Sequence, residues 1–526
     1  VFDMKKFMQH KLLTAIMIFL VIFIGVAAFF KSSPQRRIDS AQNLCEKGKY
    51  ANGLNRLDSL ETEVLDGGDA ETIASLYNAM AECYLYSAWK DGGREDAQHA
   101  LTVAEKSVSY LSDGGNQKQS AQSLITRGRI YSQLAKHENH EEYYLKAIDD
   151  FKRSLKMWEE LGRVSGAYYC SIDLGMAQKS LGTFTNTQKY ISESIDTFKK
   201  ALDNLPGGIR DSMVAVVYID LAKSFQVVRK MQKSENAQLQ CVTAYEKALD
   251  LLNVKREPEK YLQTGIHMGE ALYAFAYPPD RECLFMAQCY DKDEIDLQSV
   301  HRAFALYDSM MDEFPADKFP KEHSYIAVTR AELWTIVAPR LGEYHYSNAI
   351  AVLQNELTKL EDELPESWFQ SYNALLGDAY YGLARAKQDT KYAQKAIEAY
   401  EMAFDKTLPE ESATNISMQT RQGLSHLLLF KQKQDEADGQ KALALFQKAD
   451  AACVAEIMPD VCFITGYNLG DAYAELASVA DQAENRQKAV AAYAKALAIP
   501  GLDTETKRYK RVQEKLQTVQ AAAGAE

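Results

Sequence analysis

The sequence predicts an all-α fold, a solenoid of stacked helix pairs, and three observations predict it. Small residues recur at Ala81, Gly128, Gly175, Ala222 and Gly269, each 47 positions after the last, and again at Gly377, Gly423 and Gly470. Rings and further small residues keep fixed offsets from these. The composition suits long helices: 46% hydrophobic residues, 12 prolines in 526, and abundant Ala, Leu, Lys, Glu and Gln, which are good helix formers.

The offsets specify two helices per unit. Three residues after many of the small residues stands a ring, at Tyr84, Tyr131, Phe225, Tyr380 and Tyr473. Nineteen after comes a second small position: Ala100, Ala147, Ser194, Cys241, Ala396, Ala442 and Ala489. Four further on a bulky group follows, as Phe151, Phe198, Tyr245, Tyr400, Phe446 or Tyr493, and three beyond that another small one, such as Ser154, Ala201 or Ala496. Small residues belong where two backbones approach closely, and a ring four residues away lies on the same helical face and fills the adjoining space. Pro206, Pro315, Pro409 and Pro500 close units, because proline ends a helix. One such pair cannot bury its apolar stripe alone, so neighbours must stack.

The pattern resembles the tetratricopeptide repeat (TPR) family. It is clearest in the stretch Tyr467 to Tyr473 (YNLGDAY) and in Ala489 to Ala496 (AVAAYAKA). The family repeat is about 34 residues, so a 47-residue spacing implies helices longer by one to two turns. One early unit, through Ala41, Gly48, Tyr50, Gly53, Leu57 and Leu60, looks closer to standard length. The resemblance implies a right-handed superhelical solenoid of about ten helix pairs that binds other proteins.

Read in order, residues 1–11 form a short basic N-terminus and 12–30 a transmembrane anchor. Residues 31–37 make a linker, 38–268 an N-terminal array, 269–330 a stretched, irregular repeat and 331–500 a C-terminal array. A polar capping helix at 501–520 and a tail at 521–526 complete the chain. Leu12 to Phe30 carries no charge and would span roughly 28 Å as a helix, close to a bilayer's hydrocarbon thickness. Basic residues precede it. The expectation is a single-pass membrane protein with a cytoplasmic N-terminus and a periplasmic or other extracytoplasmic body, of the bacterial inner-membrane kind.

The net charge of −13 disfavours nucleic acid, whose phosphates would be repelled, and suits a protein partner on the solenoid surface. No phosphate-binding Gly-rich loop, His-Glu-x-x-His or G-x-S-x-G occurs, so no catalytic residue, cofactor or metal is expected. His137, Glu138, His140 and Glu141 cluster, but in a stretch expected to be a solvated connection. Cys83, Cys170 and Cys241 fall on interior repeat positions and read as buried thiols. Cys283 with Cys289, and Cys453 with Cys462, are candidate disulfides.

In TPR superhelices the residue just after the small one often faces the concave groove. Here the candidate groove residues are Glu82, Arg129, Lys223, Glu270, Asp378 and Asp471, with Met176 and Leu424 in the same row. None is Asn, so the family's chaperone-tail clamp is not expected. The leading expectation is an anchored scaffold, a structural or assembly subunit of a membrane-associated complex. The alternatives are a periplasmic chaperone with transient clients and a regulator sensing a ligand or peptide.

Overall fold

The computed structural model describes residues 33–91, 93–111, 116–232, 234–275, 296–359, 366–409, 411–502, 504 and 507–523. Among them are 21 helices, joined as consecutive antiparallel hairpins in an all-helical solenoid. The chain divides into two compact units, Val1–Met231 and Gln232–Glu526.

In the first unit α1 (Pro34–Glu46) packs on α2 (Tyr50–Gly67), and α3 (Ala70–Asp91) on α4 (Arg94–Tyr110). Likewise α5 (Gln117–Leu134) packs on α6 (His140–Glu160), and α7 (Val164–Phe184) on α8 (Gln188–Asp203); α9 (Asp211–Gln232) follows. In the second unit α10 (Glu235–Leu251) leads into the hairpins α11 (Pro258–Phe275) with α12 (Leu297–Glu313), and α13 (Pro320–Leu341) with α14 (Tyr344–Lys359). Then come α15 (Glu366–Lys387) with α16 (Thr390–Ala403), α17 (Ala413–Lys433) with α18 (Glu436–Ala452), and α19 (Pro459–Leu476) with α20 (Gln482–Leu497). Helix α21 (Lys507–Ala523) packs on α20. Within each unit the first helix of a hairpin also touches the first helix of the next.

The expected transmembrane helix is corrected. No helix among the described residues is long and apolar enough to cross a membrane, and Leu12–Phe30 lies outside those residues. The fold class is therefore the helical array without a spanning helix, and the single-pass membrane localisation is withdrawn with it.

The 47-residue period has a direct structural cause. The recurrent glycines Gly128, Gly175, Gly377, Gly423 and Gly470 of the first helices each lie under the ring that stands 23 residues later on the second helix, whereas Gly269, in the stretched repeat, lies under Tyr307. A Cβ added at Gly128 would fall 2.6 Å from Phe151, at Gly175 2.6 Å from Phe198, at Gly377 2.4 Å from Tyr400, and at Gly470 2.5 Å from Tyr493. Those rings are at most 1% exposed. Gly470→Ala is accordingly expected to lower stability by about 2 kcal/mol through overpacking, read as a lower urea midpoint. In a Tyr493→Leu background the same change should cost less than half as much.

The hairpin turns repeat a second feature. Asn139, Asn186, Gln388, Gln434 and Asp481 all have positive φ, between 40° and 57°, and each stands eleven residues after its glycine, just before the second helix. Asn and Asp tolerate this left-handed conformation through local hydrogen bonds. Helix starts also use side-chain caps, for example Asp389 onto Lys391 N–H, directly after Gln388, and Ser412 onto Asn415 N–H, or proline at the first helical positions, at Pro34, Pro320 and Pro459.

Candidate functional site

The residues just after the recurrent small positions are largely occupied within the chain. Glu82 on α3 is 5% exposed and accepts hydrogen bonds from Gln42 on α1, Asn78 on its own helix, and Gln122 and Thr126 on α5. Arg129 on α5 pairs with Asp173 on α7 at 2.7 Å. In the second unit Asp378 on α15, 2% exposed, accepts from the Tyr400 hydroxyl at 2.8 Å and faces Arg421 on α17 at 3.5 Å. Asp471 on α19 accepts from the Tyr493 hydroxyl at 2.5 Å and from Lys515 on α21 at 2.7 Å. Lys223 lies half-buried on α9, and Glu270, on α11, meets His267 at 3.1 Å.

Three of these contacts share one geometry: from Glu82 to Thr126, Arg129 to Asp173 and Asp378 to Arg421, the residue after the small one reaches the residue two positions before the small one of the following first helix. Over Gly377 and Gly470 the ring is a tyrosine, Tyr400 or Tyr493, and the residue after the glycine is an Asp that takes its hydroxyl; over Gly269 it is Tyr307, and the next residue is Glu270. Where the ring is Phe151, Phe198 or Phe446, that residue is Arg129, Met176 or Leu424. Burial pushes the Asp173 and Asp378 carboxyls upward, while Arg129 and Arg421 oppose that rise.

Sequence reasoning missed Glu332. It follows Ala331 as Asp378 follows Gly377. Burial, with Glu270 on α11 and Asp378 on α15 facing it, pushes its carboxyl up to about 7. The spacing from Ala331 was the signal that could have found it.

In the first unit the junction of two hairpins opens a cleft of about 740 Å³. One wall is α5, with Lys118, Gln122, Ile125 and Arg129; the opposite side is the start of α7, from Val164 to Gly166, with Tyr169 one turn on. Trp158 at the end of α6, Arg163, and Leu205 to Gly207 after α8 complete it. The local fold explains the placement. Helix α6 ends in a Schellman-type turn: Arg163 N–H donates to Trp158 C=O, and Gly162 takes φ 63°. That turn sets α7 starting beside the indole of Trp158, and Gly166 lets the ring lie against the new helix. Tyr169 and Met176, seven residues apart and so on one face of α7, are 39% and 41% exposed.

Cys83 differs from the buried thiol expected of it. Cys83 is bonded to Cys45, tying α3 to α1 across 38 residues. Cys453 and Cys462 are joined across the connection from α18 to α19. Cys170 and Cys241 are buried thiols, and burial pushes the Cys170 thiol up to about 12. Cys283 and Cys289 lie outside the described residues. His140 begins α6 and contacts Ala135 C=O, and no group of metal-binding side chains occurs among the described residues.

Residues 121–149, from α5 into α6, match the family model of the tetratricopeptide repeat. No curated protein sequence matches the chain. Among solved structures it is similar to yeast Tom70, at 12% identity over 93% of this chain and 96% of that one, with a TM-score of 0.34. It is also similar to a tetratricopeptide repeat protein from Parabacteroides merdae, at 12% identity over 66% and 99%, TM-score 0.36. A third is the signal-transduction ATPase with a tetratricopeptide repeat sensor, PH0952, from Pyrococcus horikoshii, at 10% identity over 82% and 56%, TM-score 0.40.

Proposed function

We propose that the chain is a protein-binding scaffold that holds a partner as a structural or assembly subunit of a larger complex. Helical repeats of the tetratricopeptide kind mediate protein–protein interactions. The observation that carries the reading for this chain is the cleft between α5 and α7. It is large enough for a stretch of polypeptide, and it is rimmed by Val164, Tyr169 and Leu205, all exposed apolar or aromatic side chains. Such groups on the first-helix face cost solvation in the free protein and gain it when an extended peptide covers them. The charged row beside the cleft supports the same role indirectly. Its ties fix neighbouring first helices in register, so that the cleft is formed before a partner arrives and binding loses little ordering entropy.

The test is cross-linking with mass spectrometry on the protein in its native source. The expected result is reproducible links from amines near the cleft, such as Lys118, to one abundant protein in constant ratio. Links scattered over many unrelated proteins, or none, would reject the scaffold.

A further inference from the structure

Three properties of the cleft at the start of α7 select one kind of occupant. The first is charge. Lys118, Arg129 and Arg163 line it and no Asp or Glu does, on a chain whose net charge is −13. Arg129 is committed to Asp173, whereas Lys118 and Arg163 make no ion pair among the described residues. A local cationic patch on an acidic protein attracts an anion that the rest of the surface repels.

The second is the helix end. α7 is 21 residues long, its N-cap Arg163 offers no side-chain acceptor, and its first turn carries no acid. The backbone N–H groups of Val164, Ser165 and Gly166 therefore lack acceptors in the helix, and the helix dipole adds positive potential at the same point.

The third is Trp158. It is 6% exposed, lines the cleft, and its Nε1–H has no acceptor in the protein. A Cβ added at Gly166 would lie 2.9 Å from Cε2, the ring carbon bonded to Nε1. A buried donor without a partner thus sits at the same end of α7 as the uncapped backbone donors. Buried donors in native proteins are almost always satisfied, and this one belongs to a residue in the wall of the cleft.

We propose that this cleft binds an acidic side chain, Asp or Glu, carried inside an extended segment of a protein partner. The carboxylate docks on the α7 N-terminus between Lys118 and Arg163, and apolar neighbours of the acid lie on Tyr169 and Leu205. The proposal rests on the scaffold reading and gives it a recognition chemistry.

The experiment uses the full chain, labelled with ¹⁵N at its four tryptophan indoles, with Trp158→Phe serving only to assign the Trp158 signal. The probes are N-acetylated, C-amidated peptides in which Glu alternates with Leu and Tyr, their Gln counterparts, and all-Gln peptides with a free C-terminal carboxylate. The expected result is a saturable shift of the Trp158 N–H with the capped Glu peptides, at least tenfold weaker with the Gln set. Lys118→Glu with Arg163→Glu, both exposed positions, should abolish it while leaving the other three indole signals in place. No shift with any capped Glu peptide, equal response to Glu and Gln peptides, or response only to a free C-terminus would each overturn the proposal. The two failures are separable. If the charge-reversed variant still co-purifies with its native partner at full yield, the scaffold stands and this recognition site falls; if wild type cross-links to nothing, the scaffold itself falls.

Discussion

Replacing Glu332 with Gln is expected to raise stability at pH 8 by on the order of 3 kcal/mol while changing it little at pH 4. The carboxyl lies on α13 between Glu270 and Asp378, the acids of the first helices on either side, and its pKa is raised from 4.5 to about 7. The sign follows from proton linkage. Between pH 4.5 and pH 7 the folded protein holds a proton that the unfolded chain has released, so stability falls as pH rises through that window. Below it the group is neutral in both states and there is no penalty; above it the penalty is complete. A shift of that size corresponds to the stated energy at about 1.4 kcal/mol per pH unit. Gln keeps the shape and removes the titration. Thermal or urea unfolding of both proteins at pH 4, 6 and 8 measures it. Parallel curves for wild type and variant across this range would contradict the assignment.

The second large effect is expected at the other end. Changing both Cys45 and Cys83 to Ser removes a cross-link spanning 38 residues, worth about 4 kcal/mol in the chain-entropy account. The loss should not spread evenly. In a repeat array each hairpin is supported mainly by its neighbours, and α1–α2 is supported from one side only among the described residues. Hydrogen exchange should therefore accelerate across residues 34–67 and stay unchanged across α15 to α20. Uniform acceleration in both units would show instead that the array unfolds as one body. The bridge between Cys453 and Cys462 closes a loop of only nine residues, so its removal should cost about 2 to 3 kcal/mol.

The helical pairs were legible in the sequence because the repeat is written in residue size. A glycine and a ring 23 positions later can recur at that spacing only if one covers the other, and Gly128 with Phe151 or Gly470 with Tyr493 does so. The left-handed turn residues were less legible, since Gln388 and Gln434 do not announce a positive φ as Gly or Asn would. Glu82, Arg129, Asp378 and Asp471 were singled out by position as groove residues, but their partners within the chain were not read. Those partners lie 43 or 44 residues on, one repeat less three or four, in a different hairpin. The row alone does not say whether such a side chain faces solvent or its neighbour. The bond from Cys45 to Cys83 escaped for a related reason: Cys45 belongs to the early repeat of near-standard length and falls outside the 47-residue frame. The cleft was not legible at all. It arises where a hairpin end, a helix start and the connection after α8 converge, and no periodicity marks that meeting.

The contacts between successive first helices also fix the order of the hairpins. Three of these joints each use their own complement: a carboxylate with hydroxyl and amide donors from Glu82 to Thr126 and Gln122, a guanidinium with a carboxylate from Arg129 to Asp173, and the reverse polarity from Asp378 to Arg421. A hairpin moved elsewhere would meet the wrong counterpart. Setting the one that carries Asp378 ahead of α7 would bring two carboxylates together at the position where Arg129 now meets Asp173. The repeats share a shape but are not interchangeable, and the array has an address for each of its members.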